Sequence, residues 1–408
     1  MSIWRIQTNT SKGNIAKYCL ENKVVAMGWS LNEHPYRHEL DHISYDQYLE
    51  IANKYYDSFG SVKRLAESLR PNDLIWLRDE GVYYVARVKE NSVWQFNNDS
   101  IAHDRDASNQ VNNIDWIRVG DESDIPGGLS TAFIRGSTFE RIYKPGILEY
   151  SELIFNQKSE DDYKYERTIE LNKDNFFSLI SPSDCEDLLY AWLYDISEKN
   201  YMCIPSTNKL ATEKYEFVIL DTATGRHIYI QVKNGDVDLN ADDYASIVEH
   251  SDNEVYLLTT RGKIENRNKY KNVHPVDPEI LFEFAIDETK STIIPPNIKY
   301  WIEFAGGYNS PSQLKGIMFD TNDESSENYM FSHNVIAAWG KAKRYINSFN
   351  KDDIVLYYKK WYGIIAVAKI LTSNPVPIND GLEHSVELLV PPKKRLQWQY
   401  CVNKTVRN

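Results

Sequence analysis

The chain has 408 residues, a formal net charge of -13 at pH 7 and four cysteines, none of them in a CxxC pair. This length suffices for two or three domains of about 100 to 200 residues each. The scattered cysteines argue against a disulfide framework or a cysteine zinc cluster, and no apolar run approaches the roughly 20 residues of a membrane span. We therefore expect a cytoplasmic protein without a membrane segment.

The first section, residues 1–148, is predicted to be rich in strands. DLIWLRDEGVYYVARV has the alternation of a β-hairpin with its turn at residues 79–81. Helices are predicted between the strands, and one of them begins at a capping box formed by Ser44 and Gln47. The polar, acidic segment 149–174 is predicted to be a linker.

The second section, residues 175–292, has the predicted element order α-β-β-β-α-β-α, which indicates a mixed sheet with helices packed on it. Its second and third strands form a hairpin around the turn TATG. Strand alternation predicts that one face of this hairpin is packed and apolar, with Tyr215, Phe217, Ile219, Ile228, Ile230 and Val232.

The opposite face of the same hairpin carries polar side chains at one end. With the turn centred on TATG, Glu216 lies opposite Gln231 and one pair away from Lys233, whereas Asp221 lies at the turn. Carboxylate and amide oxygens bind Mg²⁺, and an ammonium group stabilises charge that develops on a phosphate. Glu186, in the first turn of the preceding helix, is expected to supply a second carboxylate.

These residues resemble a known family. The helix with Glu186, the strand with Glu216 and the closing Gln231-Val232-Lys233 are similar to the Mrr-like restriction endonuclease branch of the PD-(D/E)xK superfamily, in which glutamine replaces the acidic residue before x-Lys. The resemblance covers about residues 165–290.

This resemblance implies an α+β fold with a restriction-endonuclease-like αβββαβ core. It also implies hydrolysis of DNA phosphodiester bonds, with Mg²⁺ or Mn²⁺ held by Glu216, Gln231 and Glu186, catalysis that includes Lys233, and a homodimer for double-strand cleavage. The family's usual aspartate in the second strand is here Glu216, so Asp221 is an alternative ligand.

A purely structural interpretation uses the same side chains. Glu216 and Lys233 could form a surface cross-strand ion pair, which contributes under about 1 kcal/mol. Glu186 could complete a capping box with Ser183.

The first section also resembles a known group. VVAMGWSL, NDLIWL, VYYVARV, NIDWIRV and DIPGGLSTAFIRGSTFERI are similar to the EVE and PUA-like β-barrels that precede nucleases in modification-dependent restriction enzymes, where an aromatic pocket holds a flipped, modified base. The resemblance implies that Trp29, Ser30, Trp94 and Trp116 contact the base. Core packing is the alternative role of each tryptophan.

The third section, residues 293–408, partly repeats the first. A shift of 280 positions aligns residues 60–89 with residues 340–369, with identical residues at Gly60/Gly340, Lys63/Lys343, Arg64/Arg344, Ser68/Ser348 and Asp73/Asp353. We therefore predict a second EVE/PUA-like module. Its cations Lys341, Lys343 and Arg344 are candidates for contacts with the DNA backbone, or they form a solvated helix face.

Together these features predict a type IV-like restriction enzyme that acts on foreign double-stranded DNA with modified bases, in antiviral defence. The net charge of -13 argues against strong nonspecific binding to nucleic acid. The alternatives are a nuclease that cuts RNA or unmodified DNA, with the flanking modules as scaffolds, and a nucleic-acid-binding protein whose nuclease-like core is inactive.

Overall fold

The computed structural model describes residues 1–40, 42–204, 214–249, 251–306, 316–321 and 323–392. Helices and strands are interspersed along this part of the chain, and the strands form several separate sheets. The fold is therefore of the mixed α+β class that the sequence predicts.

The first section contains short strands and helices joined by turns. In chain order they are β1 (Ile3–Ile6), β2 (Asn9–Thr10), β3 (Gly13–Asn14), α1 (Ala16–Asn22), β4 (Val25–Met27), α2 (Tyr45–Tyr55), α3 (Gly60–Ser68), β5 (Leu74–Asp79), β6 (Val82–Arg87), β7 (Trp94–Phe96), α4 (Ser100–Asp104), β8 (Asn109–Val111), β9 (Ile117–Gly120), α5 (Gly127–Ala132) and β10 (Phe139–Arg141).

The middle of the chain begins and ends with helices. Its elements are α6 (Ile147–Lys158), α7 (Lys173–Leu179), α8 (Pro182–Ile196), β11 (Tyr201–Cys203), β12 (Phe217–Asp221), β13 (His227–Lys233), β14 (Leu239–Asn240), α9 (Ala245–Val248), β15 (Glu254–Thr259), β16 (Ile264–Glu265), β17 (Val273–Pro275), α10 (Pro278–Ile286) and α11 (Pro296–Ala305).

The last described section consists mainly of strands. It comprises β18 (Gly316–Asp320), α12 (Glu324–His333), β19 (Val335–Trp339), α13 (Lys343–Ile346), β20 (Ile354–Lys359), β21 (Gly363–Ile370), β22 (Val376–Ile378) and β23 (Gly381–Val390).

Contacts between Cα atoms divide the chain into two compact units. The first unit comprises Met1–Gln7, Ser58–Ile75 and Ile125–Ser310, and the second comprises Thr8–Asp57, Trp76–Asp124 and Pro311–Asn408. Strand β5 gives its first two residues to the first unit and the others to the second. The four sections predicted from the sequence stay a prediction. The segment predicted as a linker begins inside helix α6, where Tyr150 and Phe155 are buried.

In the second unit, the predicted capping box begins helix α2. The Ser44 side chain accepts a hydrogen bond from the backbone N–H of Gln47, whose side chain in turn accepts from the backbone N–H of Ser44. The predicted turn after β5 has Glu80 at φ 45° and Gly81 at φ 88°. Two successive residues with positive φ are typical of the tight turns that close β-hairpins.

In the first unit, the central sheet has the strand order β11-β12-β13-β15-β17. The pairs β11–β12 and β12–β13 are antiparallel, whereas β13–β15 and β15–β17 are parallel. This is a mixed sheet, and its helices and strands follow the predicted order. The pair β14–β16 and strand β17 are additional.

In the second unit, strands β18-β20-β21-β23-β19 form a sheet to which β22 is added beside β23. The hairpin β20–β21 occupies the place that the shift of 280 positions assigns to the hairpin β5–β6. Asp73 accepts a hydrogen bond from the backbone N–H of Arg70, and Asp353 accepts one from the backbone N–H of Asn350. Both aspartates are buried, so the identical residues stabilise the same turn before each hairpin.

Within the residues that the structure describes, no helix is both long enough and apolar enough to cross a lipid bilayer.

Candidate active site

The hairpin β12–β13 brings three of the predicted catalytic residues together. Phe217 pairs with Ile230, and the backbone N–H of Glu216 donates to the carbonyl of Ile230 at 2.8 Å. This register is the one that the sequence predicts, and it places Glu216 beside Gln231 at the open end of the hairpin.

The Glu216 carboxylate is the centre of this group. Its Oε1 accepts a hydrogen bond from Gln231 Nε2 at 3.1 Å and another from Lys233 Nζ at 3.0 Å. Lys233 and Glu216 are partly exposed, whereas Gln231 is buried. The three side chains therefore share one face, as predicted from strand parity.

The opposite face is apolar and packed, with Phe217, Ile219, Ile228, Ile230 and Val232 buried. The prediction for Tyr215 is wrong. Its ring lies 5.1 Å from the ring of Tyr229, which belongs to the face of Gln231 and Lys233. Tyr215 precedes the first residue of β12, where strand alternation no longer fixes the direction of a side chain.

Helix α8 carries Glu186 in its second turn rather than in its first. The capping box at the start of this helix is formed by Ser181 and Asp184, which exchange hydrogen bonds between side chain and backbone. The proposed capping box of Ser183 with Glu186 is therefore wrong, and helix capping does not explain Glu186.

The Glu186 carboxyl group lies in the electrostatic field of the hairpin residues. Burial, and then the negative charges of Glu216 and Asp187, raise its pKa to about 7, whereas Lys233 acts in the opposite direction. The carboxylates of Glu186 and Glu216 thus share the electrostatic field of one ammonium group, and the ionised site carries excess negative charge. Such a site favours either a proton or a bound cation.

Glu186 should make the protein less stable as pH rises. Because its pKa in the folded state, about 7, lies above the ordinary glutamate value of 4.5, the folded protein binds the proton more tightly than the unfolded chain does. Stability is therefore lost between these two pKa values as pH increases. After allowance for solvent screening, we expect Glu186→Gln to raise the free energy of unfolding at pH 8 by about 1 kcal/mol in metal-free buffer.

Urea denaturation at pH 5 and pH 8 measures this effect. Glu283→Gln is the matched control, because Glu283 is an exposed glutamate of the same unit, on helix α10. The two variants should differ from each other much more at pH 8 than at pH 5, which lies near the lower end of this window. An equal response at both pH values would contradict the assigned environment of Glu186.

Asp221, the alternative ligand, lies at the turn of the hairpin as predicted. Its carboxylate accepts hydrogen bonds from Thr224 Oγ1 at 2.5 Å and from the backbone N–H of Ala223 at 3.0 Å, and it contacts Arg226 at 3.3 Å. These donors, chiefly the Thr224 hydroxyl, lower its pKa. Asp221 is therefore a turn-forming residue at the opposite end of the hairpin from Lys233.

Sequence reasoning missed two residues that fix the chain after Lys233. Asn234 donates to the carbonyl of Phe177 at 2.9 Å, and its Oδ1 accepts from Thr260 Oγ1 at 2.9 Å. Thr260 follows β15, which pairs in parallel with β13 so that Lys233 lies beside Thr259. In the sequence, the signal for this contact was the pair of threonines at the end of the buried strand β15, Thr259 and Thr260.

Tyr244 is a further neighbour of the site that sequence reasoning missed. Burial raises the pKa of its hydroxyl to about 12, and the negative charges of Asp243 and Glu216 act in the same direction. Tyr244 therefore places a neutral hydroxyl-bearing ring, rather than another charge, close to Glu216.

The donor set of this site is compatible with a divalent cation. Gln231 Oε1 is buried and has no hydrogen-bond partner in the described part of the chain, although the same side chain donates through Nε2. An unpaired buried carbonyl oxygen is costly and is a ligand type that Mg²⁺ accepts, as are the carboxylates of Glu216 and Glu186. Among the described residues, no group of three or more His, Cys, Asp or Glu side chains forms a metal cluster.

In the second unit, Trp29 and Trp94 lie around Tyr48. The backbone carbonyl of Trp29 accepts hydrogen bonds from Tyr48 Oη at 3.1 Å and from Asn109 Nδ2 at 3.0 Å. The Trp94 ring lies 5.6 Å from the Tyr48 ring and 5.0 Å from the Tyr45 ring. Trp29 and Trp94 thus both contact Tyr48, Trp29 through its backbone carbonyl and Trp94 through its ring.

The other two base-binding candidates have structural partners. Ser30 is buried, and its hydroxyl accepts a hydrogen bond from the backbone N–H of Ser108 at 3.1 Å. Trp116 Nε1 donates to the carbonyl of Val24 at 3.1 Å. Ser30 follows Trp29 directly in the same loop, whereas the indole of Trp116 binds the chain at Val24, just before strand β4.

The predicted backbone-binding cations lie in one short stretch of the same unit. Lys341, Lys343 and Arg344 are exposed. Lys343 lies 3.6 Å from Asp380, and the guanidinium of Arg344 lies 5.0 Å from the ring of Tyr345. All three remain accessible to solvent, so both predicted roles are compatible with their positions.

Comparison of the chain with protein families, with curated proteins and with solved structures found no match.

Proposed function

We propose that this protein is a Mg²⁺-dependent endodeoxyribonuclease that hydrolyses DNA phosphodiester bonds. One observation carries the proposal: the Glu216 carboxylate binds both Gln231 and Lys233, while Gln231 Oε1 is buried without a partner. Glu186 adds a second carboxylate whose pKa is about 7. A negatively charged group of oxygen ligands beside a lysine suits metal-assisted phosphate chemistry.

The side chains have distinct roles in this proposal. Glu216, Glu186 and Gln231 would hold the ion, which when bound polarises the phosphate and makes water a better nucleophile. Lys233 donates to an oxygen of the scissile phosphate and stabilises the negative charge that develops there. Glu186 would bind the ion as a carboxylate, because a cation replaces the proton that burial favours in the metal-free site, and the proton of the attacking water would pass to solvent.

Plasmid cleavage tests the proposal and separates its alternatives. Supercoiled plasmids with and without modified cytosine or adenine are incubated with Mg²⁺, with Mn²⁺ or with EDTA, and an RNA of the same sequence is included. We expect metal-dependent cleavage of modified DNA. Cleavage of RNA or of unmodified DNA alone would favour the scaffold alternative, and no cleavage would favour an inactive binding protein.

The products also test the oligomeric state. Because one centre cuts one strand, we propose that a homodimer cuts both strands. A homodimer predicts linear plasmid as an early product, whereas independent monomers would first accumulate nicked circles.

We propose further that the loop at Trp29 senses the modified base, which would make the enzyme type IV-like. Trp29 has φ 58° and Leu31 has φ 56°, angles that are unfavourable for bulky residues and that are enriched at functional sites. Nearby, Trp94 Nε1 and Asn109 Oδ1 are buried and find no hydrogen-bond partner within the described ranges. One donor and one acceptor beside an aromatic ring suit the edge of a flipped base.

Trp29→Ala should weaken binding of a modified duplex by about 10- to 100-fold, because stacking on one ring contributes roughly 1 to 3 kcal/mol. Fluorescence anisotropy with the full chain in EDTA measures this. Trp29→Phe keeps a ring and should retain most of the affinity. Equal affinity of the wild type for modified and unmodified duplexes would refute base sensing at this loop.

A further inference from the structure

The tip of the hairpin β20–β21 combines exposed aromatic rings with lysines. Its sequence is Lys359-Lys360-Trp361-Tyr362. Trp361 is 89% exposed and Tyr362 is 55% exposed, so the largest apolar surface of the tip lies in water. Large apolar side chains that stay exposed in this way often mark a binding surface.

The backbone at this tip is also unfavourable for tryptophan. Trp361 has φ 71°, a conformation that favours glycine. The shift of 280 positions places Trp361 on Gly81, which has φ 88° at the tip of the hairpin β5–β6. Folding of the hairpin alone would thus be served better by glycine, and tryptophan at this position calls for another reason.

The charges of the two hairpin tips are opposite. Asp79 and Glu80 occupy the positions that correspond to Lys359 and Lys360. Lys359 also binds Glu327 at 2.8 Å, so a carboxylate offsets part of the lysine charge at the second tip. Lysine ammonium groups suit a phosphate, but with part of their charge offset they do not supply most of a binding energy.

Each aromatic ring at the tip lies beside an ammonium group. Lys360 Nζ is 5.5 Å from the centroid of the Trp361 ring, and Lys359 Nζ is 5.5 Å from the centroid of the Tyr362 ring. Neighbouring rings and cations are one means by which proteins bind single-stranded nucleic acid, since bases stack on the rings while cations contact phosphates.

We propose that the Lys359–Tyr362 tip binds single-stranded DNA, with an unpaired base stacked on Trp361 and a phosphate close to Lys360. In a duplex the faces of the bases are covered by their neighbours, so insertion of a ring must first unstack a base step, whereas an unpaired base offers its face to an exposed ring without that cost. The choice of DNA over RNA rests on the proposed function, whereas stacking on Trp361 is independent of it.

Trp361→Gly is the decisive variant, because it places at this position the residue that the other hairpin has. Anisotropy of a short labelled single strand is measured with the full chain in EDTA. We expect affinity to fall by about 5- to 100-fold, while the melting temperature is no lower than that of the wild type. Trp361→Phe should retain most of the affinity, which a merely structural role would not predict.

Two further variants separate stacking from general charge attraction. Lys360→Ala should lower the slope of log affinity against log salt concentration by about 0.7, the value for one phosphate contact on a single strand. Tyr143→Ala is the matched control, because Tyr143 is 77% exposed and lies 4.8 Å from the guanidinium of Arg141. This control should bind like the wild type.

Three results would overturn the inference: unchanged affinity of Trp361→Gly, an equal loss in Tyr143→Ala, or tighter binding of the matching duplex. Tighter binding of an RNA of the same sequence would overturn the choice of DNA. Because binding is measured in EDTA, a chain that binds through Trp361 but never cuts would refute only the nuclease. If the wild-type chain cuts DNA and the Trp361→Gly variant binds single strands normally, only the proposed role of the tip is refuted.

Discussion

Lys233→Ala should reduce metal-dependent cleavage by about 1000-fold, because removing one preorganised donor to a developing oxyanion costs roughly 100- to 1000-fold in rate. The same change removes the ammonium group that bonds Glu216 Oε1 at 3.0 Å and partly offsets the raised pKa of Glu186. The side chain is 36% exposed, so little packing is lost. Single-turnover plasmid cleavage measures the rate, and anisotropy measures DNA binding, which should change little.

Lys269→Ala is a matched control for the loss of an ion pair. Lys269 Nζ lies 2.8 Å from Asp242 Oδ1 in the same unit, and both side chains are partly exposed. Exposed ion pairs contribute under about 1 kcal/mol, so both variants should unfold at nearly the same denaturant concentration as the wild type. If Lys233→Ala cleaved as fast as Lys269→Ala, the pair with Glu216 would be structural, and the assigned centre would be wrong.

The register of the hairpin β12–β13 could be predicted because two local rules agreed. The sequence TATG marks a turn, and the alternating apolar residues of both strands must face the core together. Phe217 therefore pairs with Ile230, and Glu216 meets Gln231 and Lys233. The rule failed at Tyr215, which precedes the hydrogen-bonded pairing that begins at Glu216, and whose ring packs on Tyr229 instead.

Features that depend on distant segments could not be predicted. Asn234 is held by the carbonyl of Phe177 and by Thr260, which lie 57 and 26 positions away in the sequence. The sequence analysis predicted a serine capping box at the start of helix α8, but it assigned the cap to the wrong serine. Ser181 and Ser183 are both suitable caps, and Pro182 favours Ser181 because proline fits the first helical position.

The internal repeat shows which identities have a structural cause. Asp73 and Asp353 have the same structural role. Each buried carboxylate needs hydrogen-bond donors, and each accepts a hydrogen bond from the backbone N–H of the residue three positions earlier. The hairpin tips are not constrained in this way, and there the two copies differ in charge and in ring content. The shared turn thus accounts for the identity of Asp73 and Asp353, whereas the tips of the two hairpins differ.

Glu216→Gln should weaken binding of Mn²⁺ by about 100-fold. A unit charge at about 4 Å contributes roughly 4 kcal/mol at an effective dielectric constant near 20, and solvent screening at this partly exposed side chain reduces that value. Glutamine keeps the shape and the hydrogen bonds of the side chain but removes its charge. Isothermal titration calorimetry of the full chain with Mn²⁺ measures the affinity, and cleavage should fall in the same variant.

Asp221→Asn is the comparison that tests the register. Asp221 is buried at the turn and binds Thr224, Ala223 and Arg226, so its loss should destabilise the hairpin turn while leaving Mn²⁺ affinity almost unchanged. Stronger loss of Mn²⁺ binding in Asp221→Asn than in Glu216→Gln would mean that the ion sits at the turn. In that case the roles assigned to Glu216, Gln231 and Lys233 would all be wrong. Gln231 and Lys233 both contact the Glu216 carboxylate, and they lie at the other end of the hairpin.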